Sequence, residues 1–251
     1  MNTQQVYGIH VVLALLSSQH KRVRQVLLLA DRRDQRLSDI EELARKFRVP
    51  VERLPKRQFE QQAGQVRHQG VIAVCTPLEP ASEPEMLRRL ASMDTPPLVT
   101  ILDGITDPHN LGAILRTADA AGSHFVVAAR DGSAGLTATV RKVASGAAEN
   151  VPFCAVANLK RTMAELKSLG IWLYGAAGEG SQLHTAIDYS GPSGLVLGAE
   201  GKGLRRLTRD ACDELVQIPM AGTVSSLNVS VAAGVFLFEA VRQRAILESA
   251  R

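Results

Sequence analysis

Polar residues and glycines that could do chemistry occur in three loops in the second half of the chain. Each loop follows a short apolar segment typical of a strand and leads towards a segment with helical spacing. The loops are residues 110–116 (NLGAILR), 198–203 (GAEGKG) and 218–230 (IPMAGTVSSLNVS). Because open α/β sheets bind ligands where their strands end, the ordered set predicts one ligand site at the edge of such a sheet.

The glycine-rich loop has the wrong spacing for the familiar nucleotide-binding motifs. Gly198, Gly201 and Gly203 follow the pattern G-x-x-G-x-G, whereas the dinucleotide fingerprint is G-x-G-x-x-G. Lys202 is followed by glycine rather than by Ser or Thr, which excludes a Walker loop. Glycines let a ligand come close to the backbone. The loop is therefore predicted to line a pocket, with a plain turn as the alternative.

Asn110 and Arg116 flank the start of a predicted helix over residues 111–121. Asn110 could cap this helix. Arg116 lies in an otherwise apolar helix, where its guanidinium needs an anionic partner or solvent. Its planar fork of donors suits a phosphate, and a structural salt bridge to Asp103 or Asp119 is the alternative.

Small polar side chains gather around the start of the last predicted helix. They are Ser225, Ser226, Asn228 and Ser230. Capping accounts for one of them, whereas the whole cluster also suits a helix N-terminus that faces a ligand.

The chain is predicted to have two domains joined by a linker. Residues 1–76 read as a small α/β domain, in which a capping box at 38–41 opens a helix that runs to residue 47. Prolines punctuate residues 77–97, which predicts a linker with one helical turn over 85–91. From residue 98 strands and helices alternate, which predicts a mostly parallel sheet covered on both faces.

Two helices of the second domain bear on the site. One is predicted over residues 203–213, directly after the glycine-rich loop. The other, over residues 227–248, is nearly apolar in its first half, so we expect it to be buried in its own core or against a second copy of the chain.

The positive charge of the chain is concentrated at its front. Residues 1–77 hold 13 Lys/Arg against 7 Asp/Glu, whereas residues 78–251 hold 16 against 18. The front is therefore the better candidate for binding a polyanion, and a solvated helical surface is the alternative. The basic residues expected to contribute are Lys21, Arg22, Arg24, Arg32 and Arg33.

Composition excludes some classes of protein. No apolar run reaches the roughly 18 residues that a membrane span needs, and the N-terminus does not resemble a signal peptide. Three distant cysteines without a Cys-x-x-Cys pair indicate reduced thiols in a cytoplasmic protein, and no metal site is predicted.

Taken together, the three loops resemble the motifs of the SpoU branch of the SPOUT RNA methyltransferases. The resemblance covers residues 98–245, from Asp103-Gly through the loop at 110–116, the segment 195–204 (LVLGAEGKGL) and the segment 218–232. The basic front, which ends in Arg67-His-Gln-Gly70-Val, looks like the RNA-binding domain of the RlmB-type enzymes of this branch.

The resemblance implies a fold and a reaction. The fold would be an α/β methyltransferase domain whose C-terminal segment forms a trefoil knot, and the protein would act as a homodimer. The reaction would be 2′-O-methylation of a guanosine in the peptidyl-transferase P loop of 23S rRNA, with S-adenosylmethionine as methyl donor. The donor would be held by Gly198, Gly201, Ile218 and Leu227, together with Glu200.

The resemblance also implies roles in catalysis. Arg116 would be essential, and since arginine stays protonated in proteins, we expect it to stabilise the developing alkoxide rather than to act as a base. Asn110 and Asn228 would hold Arg116 and the ribose, Glu200 would pair with or orient Arg116, and Ser226 would assist. Methylation of a base is less well supported, because aromatic residues for stacking are only 4% of the chain.

Two alternative functions remain open at the level of sequence. One is a tRNA 2′-O-methyltransferase of the same branch, although simpler tRNA-acting relatives commonly lack a front domain. The other is an RNA-binding ribosome-assembly factor without catalytic activity, which the intact motif residues disfavour.

Overall fold

A computed structural model describes residues 3–32, 34–64, 66, 68–76 and 80–249. Arg33, Arg67 and Pro77, which the sequence analysis singled out, lie outside the described residues. The chain divides into two compact units. The first comprises Met1–Glu79 with Ser145–Asn150, and the second comprises Pro80–Ala144 with Val151–Arg251.

The first unit is a small α/β structure around a mixed sheet. Its elements are β1 (Gln4–Tyr7), α1 (Ile9–Gln19), β2 (Val23–Leu29), α2 (Gln35–Lys46), β3 (Val51–Leu54), α3 (Lys56–Ala63), β4 (Val71–Cys75) and, further along the chain, α7 (Ala147–Asn150). The strand order is β1-β4-β2-β3; β4 is antiparallel to both β1 and β2, and β2 and β3 are parallel. Leu15 and Leu16 of α1, Leu28 of β2, and Leu37 and Ile40 of α2 are fully buried in one core.

Helix α2 begins earlier than the capping box predicted. Asp34 is its N-cap, and the Asp34 side chain accepts a hydrogen bond from the amide of Leu37 at 3.3 Å. The predicted start at Ser38 is wrong. Asp34, four residues upstream of Ser38, already accepts a hydrogen bond from an amide of the first turn. The Ser38 hydroxyl lies inside the helix and donates to the carbonyl of Asp34 at 3.4 Å.

The second unit alternates strands and helices. Its elements are α4 (Glu83–Ala91), β5 (Leu98–Asp103), α5 (Pro108–Ala120), β6 (Phe125–Ala129), α6 (Ala138–Ala144), β7 (Phe153–Val156), α8 (Leu159–Ser168), β8 (Trp172–Ala176), β9 (Gln182–Leu183), β10 (Ser193–Gly198), α9 (Arg206–Arg209), β11 (Glu214–Gln217) and α10 (Val229–Ser249). Strands form a 7-stranded sheet in the order β7-β6-β5-β10-β8-β11-β9. Their pairings are parallel, which confirms the predicted fold class.

Helices cover both faces of this sheet. Val99 and Ile101 of β5 pack in one core with Met86 of α4 and Met163 of α8. Successive residues of a strand point to opposite faces. Leu102 is also fully buried and lies on the face opposite Ile101. Helix α10 contacts both β10 and α5.

The stretch expected as a linker is more ordered than its prolines suggested. Among its described residues, 80–97 belong to the second unit and contain the nine-residue helix α4. Pro84 lies in the first turn of α4, where a missing amide costs nothing. Met86 and Leu90 are buried, so this segment adds to the core rather than merely connecting two domains.

Two elements near the site also differ from expectation. The helix predicted over 203–213 is reduced to α9. Asp213 instead pairs with the start of β8, since its amide donates to the Leu173 carbonyl at 2.8 Å and its carboxylate accepts from the Leu173 amide at 2.8 Å. The two-residue strand β9 was not predicted, since its pairing with β11 is non-local.

The last helix is buried along only part of its surface. Phe236 and Leu237 of α10 are buried, whereas Val231 and Phe238 are 52% and 49% exposed. Within the described residues, no helix combines the length and the apolar character needed to cross a bilayer.

The guanidinium of Arg244 on α10 donates hydrogen bonds to several backbone carbonyls of this unit. Arg244 donates to the carbonyls of Pro96 at 2.8 Å, Pro97 at 3.0 Å, Tyr189 at 3.0 Å and Gly191 at 2.8 Å. Burial lowers the pKa of Arg244. These bonds tie the last helix to the residues that precede β5 and β10.

Candidate active site

The first two loops start from neighbouring strand ends. Strands β5 and β10 are parallel, and Gly198 at the end of β10 lies opposite Asp103 at the end of β5. The loops that follow therefore leave the same edge of the sheet. The third loop runs from the end of β11 to the start of α10 at Val229.

One residue from each loop meets in a single hydrogen-bond network. The Asn110 Nδ2 donates to Oε2 of Glu200 at 3.2 Å. The Asn228 Nδ2 donates to Oδ1 of Asn110 at 3.0 Å and to the same Glu200 oxygen at 3.5 Å. Asn110 is buried, whereas Glu200 and Asn228 are exposed at the edge of the network. The three residues that the sequence analysis placed together are thus in contact.

Asn228 also connects this network to the start of a helix. The Asn228 Oδ1 accepts from the amide and hydroxyl of Ser230, at 2.9 and 2.6 Å, at the beginning of α10. One interpretation of the sequence was that Asn110 caps α5, and this interpretation is wrong. Asp107 is the cap, since its side chain accepts from the His109 amide at 2.8 Å. Asp followed by Pro108 was the signal for this start.

A cavity of about 370 Å³ opens beside the network. It is lined by the five residues predicted to hold the methyl donor and by Ser226. They are Gly198, Glu200, Gly201, Ile218 and Leu227. Its volume falls within the range typical of pockets for small molecules.

Gly198 is required by the loop itself as well as by the cavity. A Cβ at this position would lie 2.1 Å from the carbonyl carbon of Gly203. The turn is closed by a hydrogen bond from the Gly203 amide to the Ala199 carbonyl at 2.8 Å. A side chain at this position would therefore displace the backbone of the loop before it occupied any space in the cavity.

An ion pair that the sequence analysis missed lies at the wall of the same cavity. Arg209 of α9 pairs with Glu179 of the loop that follows β8, and both residues line the cavity. No motif marked either residue, because their contact depends on how β8 and α9 are placed in the fold.

Arg116 is not among the residues that line this cavity. It is exposed on α5. In the single chain Glu200 accepts from the two asparagines, and its pairing with or orientation of Arg116 stays a prediction. A salt bridge from Arg116 to Asp103 is wrong, since the Asp103 carboxylate contacts Arg205 instead.

The basic residues of the first unit are not equally available to a ligand. Lys21 is exposed, and so is Arg24, although Arg24 also interacts with another group of the protein. Arg22 donates to the carbonyl of Thr76 at 3.0 Å. Arg32 donates to Asp34 and to the carbonyl of Gln69, both at 2.6 Å. Arg22 and Arg32 therefore have structural roles that the charge count did not reveal.

The cysteines of the second unit are poor nucleophiles. Burial raises the pKa of Cys154 to about 11 and that of Cys212 to about 12. The described residues hold no group of three His, Cys, Asp or Glu that could bind a metal ion.

Two family models match the chain, one in each half. Residues 97–238 match the SpoU rRNA Methylase family. Residues 5–81 match the model described as RNA 2′-O ribose methyltransferase substrate binding.

Relatives resemble the chain over almost its full length. A Pseudomonas aeruginosa protein named 23S rRNA (guanosine-2′-O-)-methyltransferase RlmB is 52% identical and covers 98% of both chains. The Escherichia coli protein of the same name is 48% identical over 96% of this chain and 99% of its own. The crystal structure of the SpoU methyltransferase AviRb from Streptomyces viridochromogenes, in complex with AdoMet, is 27% identical with a TM-score of 0.78, covering 97% of this chain and 91% of its own.

Proposed function

The chain belongs to the SpoU rRNA methylase family, and from that premise we propose that it transfers a methyl group from S-adenosylmethionine to the 2′-hydroxyl of a guanosine in 23S rRNA. The observation that carries the proposal is the contact between Asn110, Glu200 and Asn228 beside the donor cavity. The target within 23S rRNA is proposed to be the peptidyl-transferase P loop, as the resemblance implies.

The cavity fits a methyl donor of this kind. Ile218 and Leu227 provide apolar surface, while the glycine-rich loop brings backbone close to the space between them. S-adenosylmethionine supplies a methyl group that its sulfonium has already made electrophilic. The protein must therefore align the acceptor and stabilise the charge that develops on its oxygen.

The side chains of the site divide this work. We propose that Asn110 and Asn228 position the ribose, with Glu200 fixing the orientation of both amides through the hydrogen bonds described above. Ser226, on the wall of the cavity, assists in holding the donor. Arg116 is a permanent cation, so its proposed role is to stabilise the developing alkoxide, while the proton leaves to a phosphate or to water.

A homodimer would bring Arg116 to the site. Arg116 is exposed and does not line the donor cavity of its own chain, which favours its contribution to the site of a second copy. The exposed side chains of Val231 and Phe238 on α10 offer apolar surface to a second copy. We propose that each site combines the donor cavity of one subunit with Arg116 of the other.

The trefoil knot and the cytoplasmic location remain proposals of the same kind. The family fold implies the knot, and insertion of β10 between β5 and β8 in the sheet is compatible with it. A substrate in the ribosome implies a protein that works in the cytoplasm.

Mapping 2′-O-methylation at nucleotide resolution tests the reaction. Ribosomal and transfer RNA would be compared between a wild-type strain and a strain lacking this protein. We expect one guanosine of 23S rRNA to lose its methyl group, and the purified protein to restore it on RNA from the deletion strain. Loss of a tRNA methyl group instead would favour the tRNA enzyme, and unchanged RNA would favour an assembly factor.

Mixing two inactive variants tests the shared site. Arg116→Ala keeps the donor cavity, whereas Gly198→Val disrupts it and keeps Arg116. If the site is shared, mixed dimers should regain activity that neither variant has alone. If Arg116 acts within its own chain, the mixture stays inactive.

A further inference from the structure

A second cavity, of about 420 Å³, is lined by both Asn110 and Glu200. Its walls come from the loops after β5, β6 and β10. They include Gly104, Gly132, Asn110, Glu200, Lys202 and Arg205. Asn110 and Glu200 thus border a space that the donor cavity does not occupy.

The stem of Arg205 is fixed by a buried carboxylate. The amide of Arg205 donates to Oδ2 of Asp103 at 2.8 Å, and its Nε lies 3.5 Å from Oδ1. The Asp103 side chain is 1% exposed, whereas that of Arg205 is 58% exposed. The Asp103 carboxylate therefore fixes the backbone amide and Nε of Arg205, while the two Nη atoms remain accessible.

The guanidinium lies against two glycines of different loops. A Cβ at Gly104 or at Gly132 would come within 3.1 Å of Nη2 of Arg205. Both glycines have positive φ angles, of 76° and 72°, which side chains rarely adopt. The guanidinium of Arg205 thus packs against the backbone of the loops after β5 and β6, and this contact exists without a ligand.

The charges around this cavity favour an anion beside Arg205. Lys202 is a second cation in its wall. Of the nearby carboxylates, Asp103 is paired with Arg205, Asp107 caps α5, and Glu200 accepts from two amides. A preorganised guanidinium with free outer nitrogens suits the two oxygens of a phosphate.

We propose that Arg205 binds the phosphodiester of the acceptor nucleotide and so holds its ribose beside Asn110 and Glu200. The inference rests on the proposed function and adds a substrate-binding residue to it. The carboxylate of the methyl donor is the other possible anion. The RNA is favoured because the donor cavity is lined without Arg205, among the residues that the structure describes.

Three variants test this role against a neighbouring arginine. Arg205→Ala removes the guanidinium, Arg205→Lys keeps the charge without the planar fork, and Arg206→Ala removes an adjacent side chain that is 92% exposed. Binding of a 23S rRNA transcript would be measured at several salt concentrations, together with S-adenosylmethionine affinity by calorimetry and thermal unfolding.

For Arg205→Ala we expect the Kd and KM for RNA to rise roughly tenfold, as loss of a charge-assisted pair implies. The slope of log K against log salt should fall by about 1. Affinity for S-adenosylmethionine should stay at the wild-type value, Arg205→Lys should be intermediate, and Arg206→Ala should resemble wild type.

Equal RNA affinity of Arg205→Ala and Arg206→Ala would overturn the inference, as would weakened donor binding with unchanged RNA binding. If Arg205→Ala unfolds, the inference stands or falls on whether Arg205→Lys, folded and charged, loses RNA affinity. These binding measurements do not require turnover. A wild-type protein that binds RNA through Arg205 without methylating it would refute only the proposed function.

Discussion

The side-chain amide of Asn228 donates to the side-chain oxygen of Asn110 at 3.0 Å, across 118 positions of sequence. Asn110 in turn donates to Glu200. An amide that donates on one side and accepts on the other is fixed in orientation. The loop before α10 therefore determines which face of Asn110 is presented to a ligand.

This contact predicts strong coupling between the two asparagines. Asn110→Ala and Asn228→Ala should each lower kcat/KM for methyl transfer, but the double variant should lose less than the two effects added together. Residues within one network typically couple by about 0.5–3 kcal/mol. The measurement is a double-mutant cycle, with Thr223→Ala as a control in the same loop, and strictly additive effects would contradict the prediction.

The geometry of the glycine-rich loop predicts different effects at two glycines of one cavity. Gly198→Val should abolish binding of S-adenosylmethionine, because its side chain would collide with the backbone of Gly203. Gly178 lines the same cavity, yet a Cβ there would meet nothing within 4 Å. Gly178→Ala should therefore bind nearly normally by calorimetry. Equal loss in both variants would show that the collision is not the cause.

Apolar runs made the central sheet predictable. Strand β5 begins at Leu98, where the sequence predicted that the alternation of strands and helices starts, because a buried parallel strand reads as a continuous apolar segment. The meeting of the three loops could also be predicted, because parallel strands that follow one another in the chain end at one edge of their sheet.

Contacts between side chains could not be predicted where the two residues are far apart in the sequence. Arg205 and Asp103 are separated by 102 positions, and no spacing rule joins them. The same holds for the bonds between Asp213 and Leu173 that shorten α9. Local competition explains the error at α2, where Asp34 and Ser38 were both acceptable caps and the earlier one prevails.

Salt dependence should distinguish the exposed cations of the first unit from the engaged ones. Lys21→Ala should weaken RNA binding and lower the slope of log K against log salt by about 1, as expected for one phosphate contact. Arg22→Ala should instead lower the unfolding temperature, because Arg22 donates to the Thr76 carbonyl. Filter binding and thermal unfolding provide the two readouts. RNA affinity that does not change with salt would refute a basic binding surface.

The ion pair on α10 predicts how stability changes in acid. Hydrogen bonds from Arg242, and then from Gln243, lower the pKa of Glu239 from 4.5 to about 2. A lowered pKa in the folded state adds stability that is complete above the unfolded value and is lost as the pH falls towards 2. Wild type should therefore exceed Glu239→Gln in urea midpoint at pH 7, and the gap should close below about pH 4.5.

The exposed Glu165 on α8 supplies the control for that measurement. Glu165→Gln should leave the urea midpoint close to wild type at each pH. A gap for Glu239→Gln that widens in acid would mean that its carboxylate does not stabilise the fold through Arg242.

Arg244 makes the start of two central strands depend on a helix that is distant in sequence. The carbonyls of Pro96 and Pro97 obtain their donor from a side chain about 150 positions later. The segments that precede β5 and β10 therefore obtain these hydrogen bonds only when α10 has packed against the sheet, so removing this one side chain would leave both segments without the same donor.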